Sequence, residues 1–125
     1  MRYEQPENED AATAAAGPAA DGQARPPQRY REFIERFPEL SRAWEEINAA
    51  GKQGPLDARS RRLVKLGVAM GAMREGAVRS GVRKALAMGI PLEEIEQLVP
   101  LAAGTIGMPS AVACWSWVLE AAKKV

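Results

Sequence analysis

From Pro38 onward the apolar side chains of this chain return every three or four residues, and only glycine and proline interrupt them. Leu40, Ala43, Trp44 and Ile47 make one such stripe, and Leu92, Ile95, Leu98, Val99 and Ala102 make another. That spacing puts side chains on one face of an α-helix, because a helical turn takes 3.6 residues. No run alternates apolar and polar residues as a half-buried strand would. The chain is predicted to be all-α.

Punctuation sets the boundaries. A short helix is expected over Arg29 to Phe37, with Tyr30, Phe33, Ile34 and Phe37 at helical spacing. Pro38 suits the first position of a second helix, through about Ala50, because its missing N–H is unpaired there in any case. Gly51, Gly54 and Pro55 then read as a loop. Asp57 is placed to cap a third helix with its carboxylate. That helix begins with Arg59, Arg61, Arg62 and Lys65 and turns almost wholly apolar or small from Leu66 to Met73. A helix apolar on all sides needs cover on all sides, which points to neighbouring subunits. A fourth helix runs from about Arg74 to Met88 and stops at Gly89. Pro91 opens a fifth, with Glu93 and Glu94 where the helix dipole favours negative charge, and Gly104 and Gly107 end it. Pro109 opens a sixth, whose buried side is expected to hold Val112, Trp115, Val118, Leu119 and Ala122.

Residues 1–27 differ in kind. Met1 and Tyr3 are their only large apolar side chains. Such a composition cannot bury enough surface to offset the entropy of ordering, so this segment is expected to be a disordered tail and 28–125 the domain. The tail carries two arginines against five carboxylates, a net −3, which leaves +4 on the rest of a chain of +1. The basic residues of the domain are interleaved with glutamates, which argues against a nucleic-acid footprint. No stretch reads as a secretory leader or a membrane span. One cysteine, Cys114, and no histidine rule out an intrachain disulfide, a Cys-x-x-Cys pair and an imidazole metal site. A cytoplasmic protein without cofactor or metal is the expectation.

Between Pro55 and Ala122 the chain resembles the carboxymuconolactone decarboxylase-like proteins, a family that includes the alkyl hydroperoxidase D-like peroxidases. The matching residues are Leu56-Asp57, Arg61-Leu63-Val64, Ala85-Leu86, Gly89-Ile90, Leu92-Glu93-Glu94-Ile95, Gly107-Met108-Pro109 and Ala111. The segment from Tyr30 to Leu40 is similar to the helical arm that often precedes this core. The resemblance implies a compact alkyl hydroperoxidase D-like domain assembled as a trimer or hexamer. Redox members carry Cys-x-x-Cys-x-x-x-His at the start of the fourth helix. Here those positions fall on Arg74, Ala77 and Gly81. Other members keep Glu-Gly-Ala-Val followed by histidines, and this chain keeps Glu75-Gly76-Ala77-Val78 but follows it with Arg79-Ser80-Gly81.

Glu75 is the candidate catalytic residue. Gly71, Ala72, Gly76, Ala77, Ser80 and Gly81 around it are small, and a cavity among them would leave a carboxylate at its wall for proton transfer. Arg74, Arg79, Arg83 and Ser80 are the candidate ligand-binding residues, since guanidinium groups on one helix face can hold a carboxylate or phosphate. The plainer reading is an ion pair between Glu75 and Arg79, four apart in the favourable order, with the small residues there for close helix packing. Cys114, among apolar neighbours, reads as a packing thiol. Of Trp115 and Trp117, two apart on a helix, one belongs to the core and the other needs a second cover.

Three functions follow. One is a divergent family member with a small-molecule pocket near Glu75, either binding or carrying out thiol-independent proton-transfer chemistry of lyase or isomerase type. Another is a non-catalytic oligomeric scaffold displaying its tails to a partner. Family membership alone would suggest a peroxidase. The partners expected are further copies of the chain and a small-molecule ligand.

Overall fold

The computed structural model describes residues 28–124. The segment 1–27, expected to be a disordered tail, lies outside the described residues. Six helices follow in order: α1 (Gln28–Arg36), α2 (Pro38–Lys52), α3 (Ala58–Gly71), α4 (Glu75–Ala87), α5 (Leu92–Ile106) and α6 (Met108–Lys123). No strand occurs among the described residues. The domain is all-α, as the periodicity predicts.

Local chemistry places most of the ends. Asp57 caps α3, its Oδ1 accepting from the Ser60 N–H at 2.8 Å, which satisfies one of the unpaired amides of the first turn. Gly89 ends α4 with a φ of 86°. Beyond it the Ile90 N–H reaches back to the Ala85 carbonyl at 3.0 Å and the Gly89 N–H to Leu86 at 2.9 Å. Those two bonds form a Schellman cap. Two glycines expected to break helices do not. Gly51 lies within α2 and Gly104 within α5. A glycine in mid-helix costs only about 1 kcal/mol against alanine, and helical neighbours on both sides outweigh it. Pro100, inside α5, removes one N–H from the helical ladder without ending the helix.

Helix α4 is the centre of the domain. It packs on α3 and α6, and α5 closes the group by packing on both of them. The side chains that meet inside are Leu66 and Met70, Val78, Val82 and Ala85, Ile95, and Cys114, Val118 and Ala121, all nearly free of solvent. On α6 the expected buried face holds at Val118, and at Leu119 and Ala122 in part, but not at Val112 and Trp115. Val112 is 59% and Trp115 47% exposed, while Ala111, Cys114, Val118 and Ala121 are buried. Two apolar stripes run side by side on this helix. The one with small side chains faces inward because it lets α6 come close to α4. Trp117 packs half-buried against the core. Trp115 lies outside it and donates its indole N–H to Glu96 at 2.9 Å.

The arm of α1 and α2 has no buried residue. Its aromatic face is held locally, with Phe33 and Phe37 ring centroids 5.3 Å apart and the Arg36 guanidinium 4.7 Å from the Phe37 centroid. Helix α3 is likewise uncovered on one side, where Val64 is 53% and Val68 66% exposed. Gly67 and Gly71 have nothing within 4 Å of an added Cβ, so no close helix contact among the described residues calls for them.

Gly81 is different. A Cβ built there would lie 2.8 Å from Cδ1 of Leu66, and Leu66 is itself buried. Gly81→Ala is therefore expected to destabilise the domain by about 1–3 kcal/mol through overpacking. In a Leu66→Ala background the same change should become neutral or gain up to about 1 kcal/mol of helix propensity. Denaturant melts of the four proteins measure this coupling, and additive effects would refute it.

Candidate functional site

The turn between α3 and α4 presents the sequence candidates. Helix α3 ends with the same two-bond cap as α4: Arg74 N–H to the Ala69 carbonyl and Met73 N–H to Met70, both 3.0 Å. Here, however, the left-handed residue is Met73, with φ 55°, where glycine would be free of the roughly 1–2 kcal/mol penalty of a side chain. The conformation is held because Met73 packs against the core and its Sδ lies 3.7 Å from the Cys114 thiol. The turn is thereby fixed, and Arg74 and Glu75 start α4 at its outer edge.

Glu75, Arg79 and Glu120 form one cluster. Arg79 Nε donates to Glu75 Oε2 at 2.9 Å, and its Nη2 bonds Glu120 Oε1 at 2.6 Å. Arg79 side-chain exposure is 23%, whereas both carboxylates are half exposed at 52%. Burial alone would lower the Arg79 pKa, but its hydrogen bonds to Glu120 and Glu75, together with their charges, more than reverse that and raise it. The bond from Arg79, and then its charge, hold the Glu120 carboxyl below the usual range. Glu120, on the last turns of α6, is the member that the sequence reading missed. Its only signal was an acidic residue at the end of an otherwise apolar helix.

The remaining candidates are dispersed. Arg74 is exposed. Arg83 is half-buried, and burial, followed by the charge of Arg79, pushes its pKa down. Ser80 is 1% exposed and faces the interior, where its hydroxyl finds no hydrogen-bond partner among the described residues. The structure thus joins Glu75 to Arg79 as the ion pair foreseen in the plainer reading, and it keeps Ser80 apart from them. Gly81, one turn beyond Ala77, is filled over by Leu66.

Cys114 is fully buried. Its thiol points at the Met70 carbonyl at 3.8 Å, and burial pushes its pKa up. A reactive thiol needs the opposite environment. At the start of α3, Arg59 is paired with Glu94 and Arg61 donates to the Leu56 carbonyl at 2.7 Å.

The fold does open a cleft of about 540 Å³, between α2, α3 and the C-terminal end of α4. None of Arg74, Glu75, Arg79, Ser80 or Arg83 lines it. Glu75 and Lys84, which does line it, are nine residues apart, or about 14 Å along the helix. Among the described residues no group of three or more acidic or thiol side chains is placed to hold a metal ion. No helix there is long and apolar enough to cross a membrane.

Compared with known families, residues 38–120 match the model of the carboxymuconolactone decarboxylase family. No curated protein and no solved structure matches.

The cluster makes a prediction about pH. Because Arg79 lowers the Glu120 pKa, its contribution to stability is complete above the ordinary glutamate pKa and is lost as pH falls through the lowered value. Arg79→Met should return the Glu120 midpoint to the ordinary glutamate range, read from its side-chain carboxyl signal in an NMR titration. A Glu120 midpoint unchanged by that substitution would contradict the bond.

Proposed function

This chain belongs to the carboxymuconolactone decarboxylase family, and from that premise we propose that it works without dithiol redox chemistry, as a member that handles a small molecule through charged groups. The observation that carries the reading is the exchange of chemistry at the start of α4. Where redox relatives keep thiols and an imidazole, this chain has Arg74, Ala77 and Gly81, with Glu75 and Arg79 between them, and its one thiol is buried in the core. The Arg79 guanidinium fixes the direction of the Glu75 carboxylate, whose outer half is open to an incoming ligand. Such a group can accept a proton or bind a donor; in the absence of a thiolate it cannot attack a peroxide bond. Glu75 is the proposed catalytic or ligand-contacting group, with Arg79 as its positioning partner.

Assembly belongs to the same reading. An ordered part of this size buries only about two-thirds of its surface alone, and the arm, α3 and α6 leave Phe33, Val68, Val112 and Trp115 uncovered. A homotrimer or hexamer would cover them and bring a neighbour against the open side of Glu75. The scaffold reading is favoured instead if that neighbour fills the space completely.

Three measurements test this. Light scattering at micromolar concentration should return a trimer or hexamer, and a monomer would refute the assembly. Cys114→Ser should leave any turnover unchanged; loss of a peroxidase signal on that substitution would make the thiol catalytic after all. Glu75→Gln should weaken turnover or ligand binding at least about tenfold, the scale of one charge-assisted contact, with little change in assembly. If it lowers the oligomer's melting temperature and no compound loses affinity, Glu75 is only an ion-pair partner.

A further inference from the structure

The exposed apolar residues of this domain are not scattered evenly. Ile47, Leu56, Val64 and Met88, each about half exposed or more, all line the 540 Å³ cleft, and Trp44 lies beside them. They come from α2, the α2–α3 loop, α3 and the residue that caps the end of α4, four separate segments. The same walls carry Lys52, Arg61, Arg62, Lys65 and Lys84. No acidic side chain is among the described residues that line it. We propose that this cleft is a binding site for an amphipathic organic anion, a molecule with an apolar aromatic or aliphatic body and one or more acid groups.

Size, charge and composition select that occupant. Clefts of roughly 300–1,000 Å³ with apolar walls and a few polar groups are the usual form of small-molecule sites. A stable protein partner would require about 800 Å² from each side, more surface than such a cleft offers. The chain's own residues 1–27 are acidic and could answer the charge. They hold only Met1 and Tyr3 as large apolar side chains, too few to cover five apolar groups. An organic acid answers both demands at once: its body displaces water from Trp44 and its neighbours, and its acid group meets ammonium or guanidinium donors at the rim. The site lies at the opposite end of α4 from Glu75, so it does not depend on the function proposed for that residue.

The test uses the full-length protein and 8-anilinonaphthalene-1-sulfonate, an aromatic anion whose fluorescence rises in apolar surroundings. One saturable site per protomer is expected. Lys65→Met with Lys84→Met removes charge and keeps apolar surface; Ile47→Ser with Val64→Ser does the reverse. Both pairs are expected to weaken binding at least about tenfold, since each removes one of the two interactions. A third pair, Leu101→Ser with Met108→Ser, alters exposed apolar residues away from the cleft and should bind as the parent does. Circular dichroism confirms that each variant keeps its helices, and all substituted positions but Lys84 are solvent-exposed, so folding is not at stake. Several results would overturn the proposal: no saturable binding, unchanged binding in both cleft pairs, or loss only in the third pair. Two others would assign a different occupant and also overturn it. Neutralising Glu4, Glu7, Glu9 and Asp10 would tighten the probe tenfold or more if the chain's own acidic segment fills the cleft. A fall in oligomer mass on substituting the cleft residues would give the cleft to a second copy.

Discussion

Leu66 lying against the bare backbone of Gly81 is the contact on which the rest of the domain depends. It brings α3 and α4 close enough for Met70, Val82 and Cys114 to close the interior from three helices. A side chain at position 81 would force Leu66 to shift. The consequence for space is direct: the volume beside position 81 is filled by the Leu66 side chain.

The same geometry explains why Met73 tolerates a left-handed backbone. Its side chain is held between the core and the Cys114 sulfur, so the turn cannot relax without giving up those contacts. Backbone strain of this type persists where surrounding structure over-determines it. Here it sets the direction in which α4 leaves the turn, and with it the side on which Glu75 and Arg79 emerge.

The fold could be read from the sequence because its signals were local and redundant. Asp57, Gly89, Pro91 and Pro109 each act within a turn or two, and the apolar stripes agree with them. Where two stripes ran in parallel, as on α6, periodicity could not choose between Trp115 and Cys114. The choice was made by the closeness of α4, which no local pattern encodes. The candidate site was legible only in part. The Glu75–Arg79 pair follows from a spacing of four, but Glu120 joins it from 41 residues away. The cleft was not foreseen at all, since it exists only once α2 is folded beside α3 and α4. Nothing in the sequence indicates that Trp44 and Ile47 share the surroundings of the cations near Arg61.

Burial of Cys114 in a chain without histidine has one further effect. Among side chains, histidine alone has an ordinary pKa that falls between about pH 5 and 8, and this sequence has none. The thiol, the next group that could titrate above that interval, is pushed further up by burial. Apart from its amino end, the sequence has no group whose ordinary pKa falls in that interval. With the amino end blocked, a variation of affinity with pH there would point to ionisation of the bound molecule, so the binding curve would serve as an indicator of the ligand's acid strength.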